Sequence, residues 1–133
     1  MLKRLLIFML FCVLGSVSFA QFSPVSADVV YKEWQVLPNS KNMVEIFYSI
    51  VKCGNENKIN LMIFNDGTAD QDIQFTLDII NTADNQHFTV TKRFSAKKGV
   101  FHKAVCDNDA LSELKILLPD TYSPSGISIK QTL

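Results

Sequence analysis

The chain has little of what most site chemistry needs. Its 133 residues include two histidines, His87 and His102, one tryptophan and three cysteines. A structural zinc site takes four ligands at characteristic His and Cys spacings, and no such spacing is present. No Gly-x-Ser-x-Gly elbow, glycine-rich phosphate loop or Walker pattern occurs either, so neither histidine has a recognisable nucleophile to activate. Acidic and basic side chains balance at 13 each. That balance removes the electrostatic footprint of a nucleic-acid binder or of a protein held on an anionic membrane. The nearest approach to a basic patch, Lys92-Arg93 with Lys97-Lys98, reads as solvated strand-end charge. Internal repeats, low-complexity tracts and Asn-x-Ser/Thr sequons are absent as well.

What is present begins at the N-terminus. Lys3-Arg4 precede an apolar run from Leu5 to Leu14, and the stretch closes on Ser18-Phe19-Ala20. A basic n-region, an apolar h-region and a small-x-small cleavage site predict a secretory signal peptide over residues 1–20. The run is short of the roughly 20 apolar residues that span a membrane. Cys12 follows Phe11 rather than a small residue, which argues against lipidation. Residues 21–133 then form a single domain of ordinary size. Cleavage removes Cys12 and leaves Cys53 and Cys106, an even pair in an exported chain, which reads as a disulfide.

Period-two alternation recurs from residue 28 onward. In Asp72 to Ile79, the side chains Ile73, Phe75, Leu77 and Ile79 fall on one face and Asp72, Gln74, Thr76 and Asp78 on the other, as in a half-buried strand. Asp28 to Leu37 sets Val30, Trp34 and Val36 against Tyr31 and Leu37. Met43 to Cys53 is apolar on both faces and predicts a central strand. Further strands are expected at 58–64, 88–94, 100–106 and 127–131. Gly54-Asn55-Glu56-Asn57 reads as a compact hairpin connection, and Asn65-Asp66-Gly67 supplies residues tolerant of positive φ. Residues 109–118 fit either a short helix capped by Asp109 or a turn followed by a strand carrying Leu114, Ile116 and Leu118; the strand agrees better with its neighbours. The expected fold is all-β, an antiparallel β-sandwich of seven or eight strands.

The strand Phe47-Tyr48-Ser49-Ile50-Val51-Lys52-Cys53, its polar turn and Ile59-Asn60-Leu61-Met62-Ile63-Phe64-Asn65 resemble small exported bacterial β-sandwich domains of immunoglobulin or fibronectin type III kind. Antibody-type domains place a Trp between their two cysteines, whereas Trp34 precedes both here. A bridge from Cys53 is therefore expected to pin a turn or an edge rather than cross the core. The resemblance implies a fold and no activity.

Candidate functional residues are few. Asp66, Asp70 and Asp72 in one acidic loop and Asp107 and Asp109 in another offer oxygen ligands for calcium, in a shared site if the two loops fall at the same end of the sandwich. His87 sits on the polar side of a threonine-rich strand, and His102 alternates with Phe101. Trp34 and Tyr122 are the aromatic side chains placed to meet a glycan or peptide. Together these features predict an exported, non-enzymatic module without a cofactor, which binds a protein or glycan in the periplasm or at the cell surface, with strand addition at a free edge as one mode of capture. The alternatives are a calcium-dependent adhesion domain and a small hydrolase or inhibitor with a loop-built site.

Overall fold

A computed structural model describes residues 29–38, 41–107 and 109–132. The signal-peptide expectation for residues 1–20 and the first residues of the domain lie outside them. Among the described residues eight strands follow in order: β1 (Val29–Val36), β2 (Val44–Cys53), β3 (Glu56–Asn65), β4 (Gln71–Asn81), β5 (His87–Ala96), β6 (Phe101–Lys103), β7 (Lys115–Leu117) and β8 (Ile127–Thr132). All the strand pairs are antiparallel, in two sheets. One runs β1-β2-β3, with β6 and β7 side by side along the far edge of β3, and the other runs β5-β4-β8.

The β2–β3 hairpin organises the first sheet. Cys53 faces Glu56 across a two-residue turn, and the register holds without a break to Val44 opposite Asn65. Gly54 takes φ +62°, the left-handed conformation such a turn demands. Unbroken register carries the alternation predicted for these segments to one face. Val44, Ile46, Tyr48 and Ile50 from β2 and Ile59, Leu61 and Ile63 from β3 are buried in a core shared with Phe75, Leu77 and Ile79 of β4. Ile127 and Ile129 of β8 complete it from the other sheet.

β6 is shorter than the predicted 100–106. Its pairing with β3 ends with the Ala104 amide donating to the Leu61 carbonyl at 3.0 Å. Two residues later Cys106 is bonded to Cys53 at the end of β2, with a Cα–Cα distance of 5.4 Å. A chain committed to that bridge cannot continue along the edge of β3. It leaves, makes a 3-10 turn over Ser112–Leu114, and returns as β7 to pair with Lys58–Asn60. Residues 109–118 are therefore a turn followed by a strand, and Leu114, Ile116 and Leu118 are buried.

The outer strands carry inward-facing lysines. Lys32 of β1 lies opposite Ile50, with its ammonium hydrogen-bonded to the Tyr48 hydroxyl at 3.3 Å. Lys92 of β5 lies opposite Phe75 and reaches the Lys115 carbonyl at 3.4 Å. Burial holds the Lys92 ammonium below the ordinary lysine pKa, with Glu113 opposing the shift. Inward charge of this kind discourages edge-to-edge pairing. β8 covers only Thr76–Asn81 of β4. Alongside Gln71–Phe75 lies a cavity of about 190 Å³ between the sheets, lined by Val44, Ile46, Ile73 and Phe75 among others.

Candidate functional site

The two sheets turn very different surfaces to solvent. The outer face of β5-β4-β8 is a polar lattice: the Thr76 and Thr91 hydroxyls hydrogen-bond at 2.9 Å, Arg93 donates to Gln74 at 2.7 Å, and His87 Nδ1 meets Asp78 at 2.9 Å. The outer face of the five-stranded sheet carries an apolar cluster, with Glu45 and Lys103 at the ends of its cross-strand rows. Cross-strand register aligns Val36, Phe47 and Met62 in one row and sets Phe64 beside Phe101 in the next. The Phe64 and Phe101 rings stack at 4.1 Å between centroids, 15° from parallel. All eight large hydrophobic side chains that are exposed among the described residues belong to this sheet or to the turns that enter it. Met43, Phe101 and Val36 are 60%, 59% and 53% accessible, far above what a packed strand shows.

Trp34 belongs to this face. The β1–β2 register slips between Val30 and Lys32 and again between Lys32 and Gln35, and this irregularity lets both Trp34 and Val36 share the outer side while Lys32 turns inward. The ring is half-buried, and the Lys103 ammonium lies over it, 5.3 Å from the centroid. Because β2 and β3 separate their strands, the two side chains reach toward each other across the sheet. A sugar stacking on that ring face must displace the cation. Tyr122, the second predicted contact, is in the core: it is buried, with its ring edge-on to Phe88 at 5.6 Å. The pairing of Phe64 with Phe101 is the feature sequence reading missed. Alternation says which residues share a face and not which face is covered.

The two acidic loops do not meet. Asp66 follows β3 beside the Val44 end of β2, its amide donating to the Met43 carbonyl, while Asp107 follows Cys106 at the Cys53 end. Ten residues of β2 separate them, roughly 30 Å at the usual strand rise. This overturns the shared calcium site. Asp72 faces outward opposite Ser95, and Asp107 and Asp109 are exposed. Asp70 is already engaged: its carboxylate accepts the Lys98 amide at 2.9 Å and takes the Lys97 ammonium at 3.2 Å. Among the described residues no group of three or more His, Cys, Asp or Glu side chains is placed to hold a metal ion.

The Lys98 amide, followed by the Lys97 side chain, holds the Asp70 carboxyl below its ordinary value of 3.8. A carboxyl whose folded-state pKa is depressed adds stability above its unfolded value, and loses that contribution as the pH falls through the folded one. The Asp70→Asn variant is accordingly expected to melt below wild type near neutral pH. Its deficit should close as the pH is lowered from about 5 to about 2. Melting curves across that range check it, and a deficit that stays constant with pH would count against the role.

His102 faces inward opposite Ile63, its ring edge-on to Phe94 at 4.8 Å, and its Nε2 accepts the Lys97 amide at 3.0 Å. His87 is exposed on the opposite sheet. The two histidines therefore lie apart, and the described contacts bring neither next to a nucleophile. No known protein family, curated protein or solved structure matches the chain. Among the described residues no helix is long and apolar enough to cross a membrane.

Proposed function

We propose that this chain is an exported, non-enzymatic β-sandwich module of immunoglobulin or fibronectin type III kind. Its signal peptide is residues 1–20, its domain is residues 21–133, and it binds a protein partner in the periplasm or at the cell surface through the outer face of β1, β2, β3 and β6. The observation that carries this reading is the segregation of exposed apolar side chains onto one sheet. Scattered surface apolar residues are ordinary, but contiguous ones rimmed by polar groups mark interaction surfaces. Aromatic and methionine side chains at the centre of a patch are the usual composition of a protein interface. The cation over Trp34 favours a protein over a glycan, since a pyranose needs the ring face that Lys103 covers. The disulfide fits an oxidising compartment.

Photo-crosslinking side chains introduced singly at Val36 and Phe101, in cells that produce the protein, test this directly. A discrete adduct of the same mass is expected from both positions and from neither Thr91 nor Arg93 on the polar sheet. Phe101→Asp should abolish the adduct formed at Val36 while leaving the protein folded. Adducts that form equally from both sheets, or from neither, would remove the basis of the proposal.

A further inference from the structure

We propose that the turn joining β5 to β6 is a proton-sensitive latch: neutral His102 and ionised Asp70 hold two consecutive backbone amides of the turn, and acidification releases it together with the apolar residues it presents. The regulatory meaning of this latch rests on reading the five-stranded face as the binding surface; the latch itself does not.

Two side chains from different elements converge on successive residues of the turn. The Lys97 amide donates to His102 Nε2 at 3.0 Å, and the Lys98 amide donates to Asp70 Oδ1 at 2.9 Å. Asp70 stands in the β3–β4 loop and His102 in β6, so the turn is tied to both. A backbone amide can only donate. Nε2 must therefore carry no proton, which makes the imidazole neutral with its hydrogen on Nδ1. Protonation converts Nε2 into a donor facing a donor, and the bond cannot form.

The surroundings amplify the effect. β3 presents Ile63 opposite His102, and β5 presents Phe94 at the ring edge, both uncharged. The charged groups nearby are Lys97 and Lys98 in the turn and Asp70, while Lys103, next along β6, points to the opposite face over Trp34. An imidazolium adds a further positive charge to two lysines balanced by one carboxylate. Each tie is lost when its acceptor takes up a proton, the one at the His102 imidazole and the other at the Asp70 carboxylate.

The turn leads straight to the apolar face. Val100 and Phe101 are among its exposed side chains, and Phe101 carries the stack on Phe64. β6 is only three residues long, so a ring that swings away from Lys97 takes with it the central residue of the strand that positions Phe101. Further ties are the Lys97 ammonium to Asp70 at 3.2 Å, the Gly99 amide to the Asn65 carbonyl at 2.8 Å and the pairing with β3. The expected outcome is a face whose β6 side is ordered at neutral pH and loosened in mildly acidic surroundings.

The test uses the free protein and no partner, so its failure is distinct from a failure of the crosslinking experiment. In an NMR titration from about pH 8 to pH 5, the amide proton of Lys97 is expected to move upfield with the same midpoint as the His102 ring. The amides of Gly99 and Phe101 should follow, and exchange protection at Lys97, corrected for intrinsic rate, should fall about tenfold for the loss of one hydrogen bond. His102→Gln keeps an acceptor that does not titrate and should flatten all these curves. His87→Gln, on the other sheet, should leave them unchanged. A Lys97 amide that holds its position while the His102 ring titrates would overturn the latch. The same titration surviving in His102→Gln would do so equally.

Discussion

Replacing both cysteines, as Cys53→Ala with Cys106→Ala, is expected to cost about 4 kcal/mol of stability, the chain-entropy value for closing a loop of this length. The bridge spans 53 residues of sequence and ties the end of β2 to the segment between β6 and β7. For a domain near 100 residues this corresponds to a fall in Tm of roughly 15–25 °C. The effect has a local component. Without the bridge nothing covalent draws residues 104–107 off the edge of β3, and the return to β7 becomes a free excursion. Amide exchange should therefore rise most at β6 and β7, with β4 and β5 least affected. Urea unfolding of the double variant beside the wild type measures the first effect, and native-state exchange the second. A loss under 1 kcal/mol with uniform exchange would mean that the loop is held by packing alone.

Asn65→Leu is expected to be nearly as damaging, at about 3 kcal/mol or more, although it keeps a branched side chain and adds apolar surface. Asn65 is wholly buried at the end of β3 and fills its hydrogen-bonding capacity. Its Nδ2 donates to the Ala69 and Ala96 carbonyls, both at 2.9 Å, and its Oδ1 accepts the Gly67 amide at 2.9 Å and Gln71 Nε2 at 3.1 Å. One amide thus joins the first sheet, the β3–β4 loop and the end of β5. Leucine leaves two carbonyls and an amide without partners, at about 1–3 kcal/mol for each group that stays dry. Gly67 is part of the same clasp. A Cβ there would stand 2.6 Å from Gln71 Nε2 and 2.8 Å from Asn65 Oδ1, so a side chain would push the hydrogen-bonding atoms apart. Urea midpoints give the answer. A leucine variant as stable as wild type would show that water satisfies the groups left behind.

Much of the fold was legible because strands expose their period in the sequence. Ile73, Phe75, Leu77 and Ile79 alternate with polar residues, and β4 turns that set inward. Met43 to Cys53 is apolar on both faces, and β2 lies inside its sheet. Where the reading stopped, long-range pairing was in control. Asn65-Asp66-Gly67 reads as an ordinary turn, because nothing local says that the Asn65 side chain will meet Ala96, thirty-one residues on. The shared two-loop calcium site failed for the same reason. Loop composition is local, whereas the end of the sandwich on which a loop falls depends on topology. Tyr122 is expected to meet a ligand, yet its segment folds back so that the ring packs against Phe88.

His102 shows the division most plainly. Its alternation with Phe101 predicts opposite faces, and that much is local stereochemistry. That Nε2 finds the Lys97 amide, and that Asp70 takes the neighbouring one, comes from the β5–β6 turn folding onto the β3–β4 loop. By itself the sequence determined an all-β chain in which two cysteines remain once the predicted leader is removed, because composition, period and turn chemistry act over a few residues. The tertiary structure alone decided which face stays uncovered, which aspartates are already spoken for and where the bridge pulls the chain. Those outcomes depend on groups tens of residues apart arriving within hydrogen-bonding or van der Waals distance.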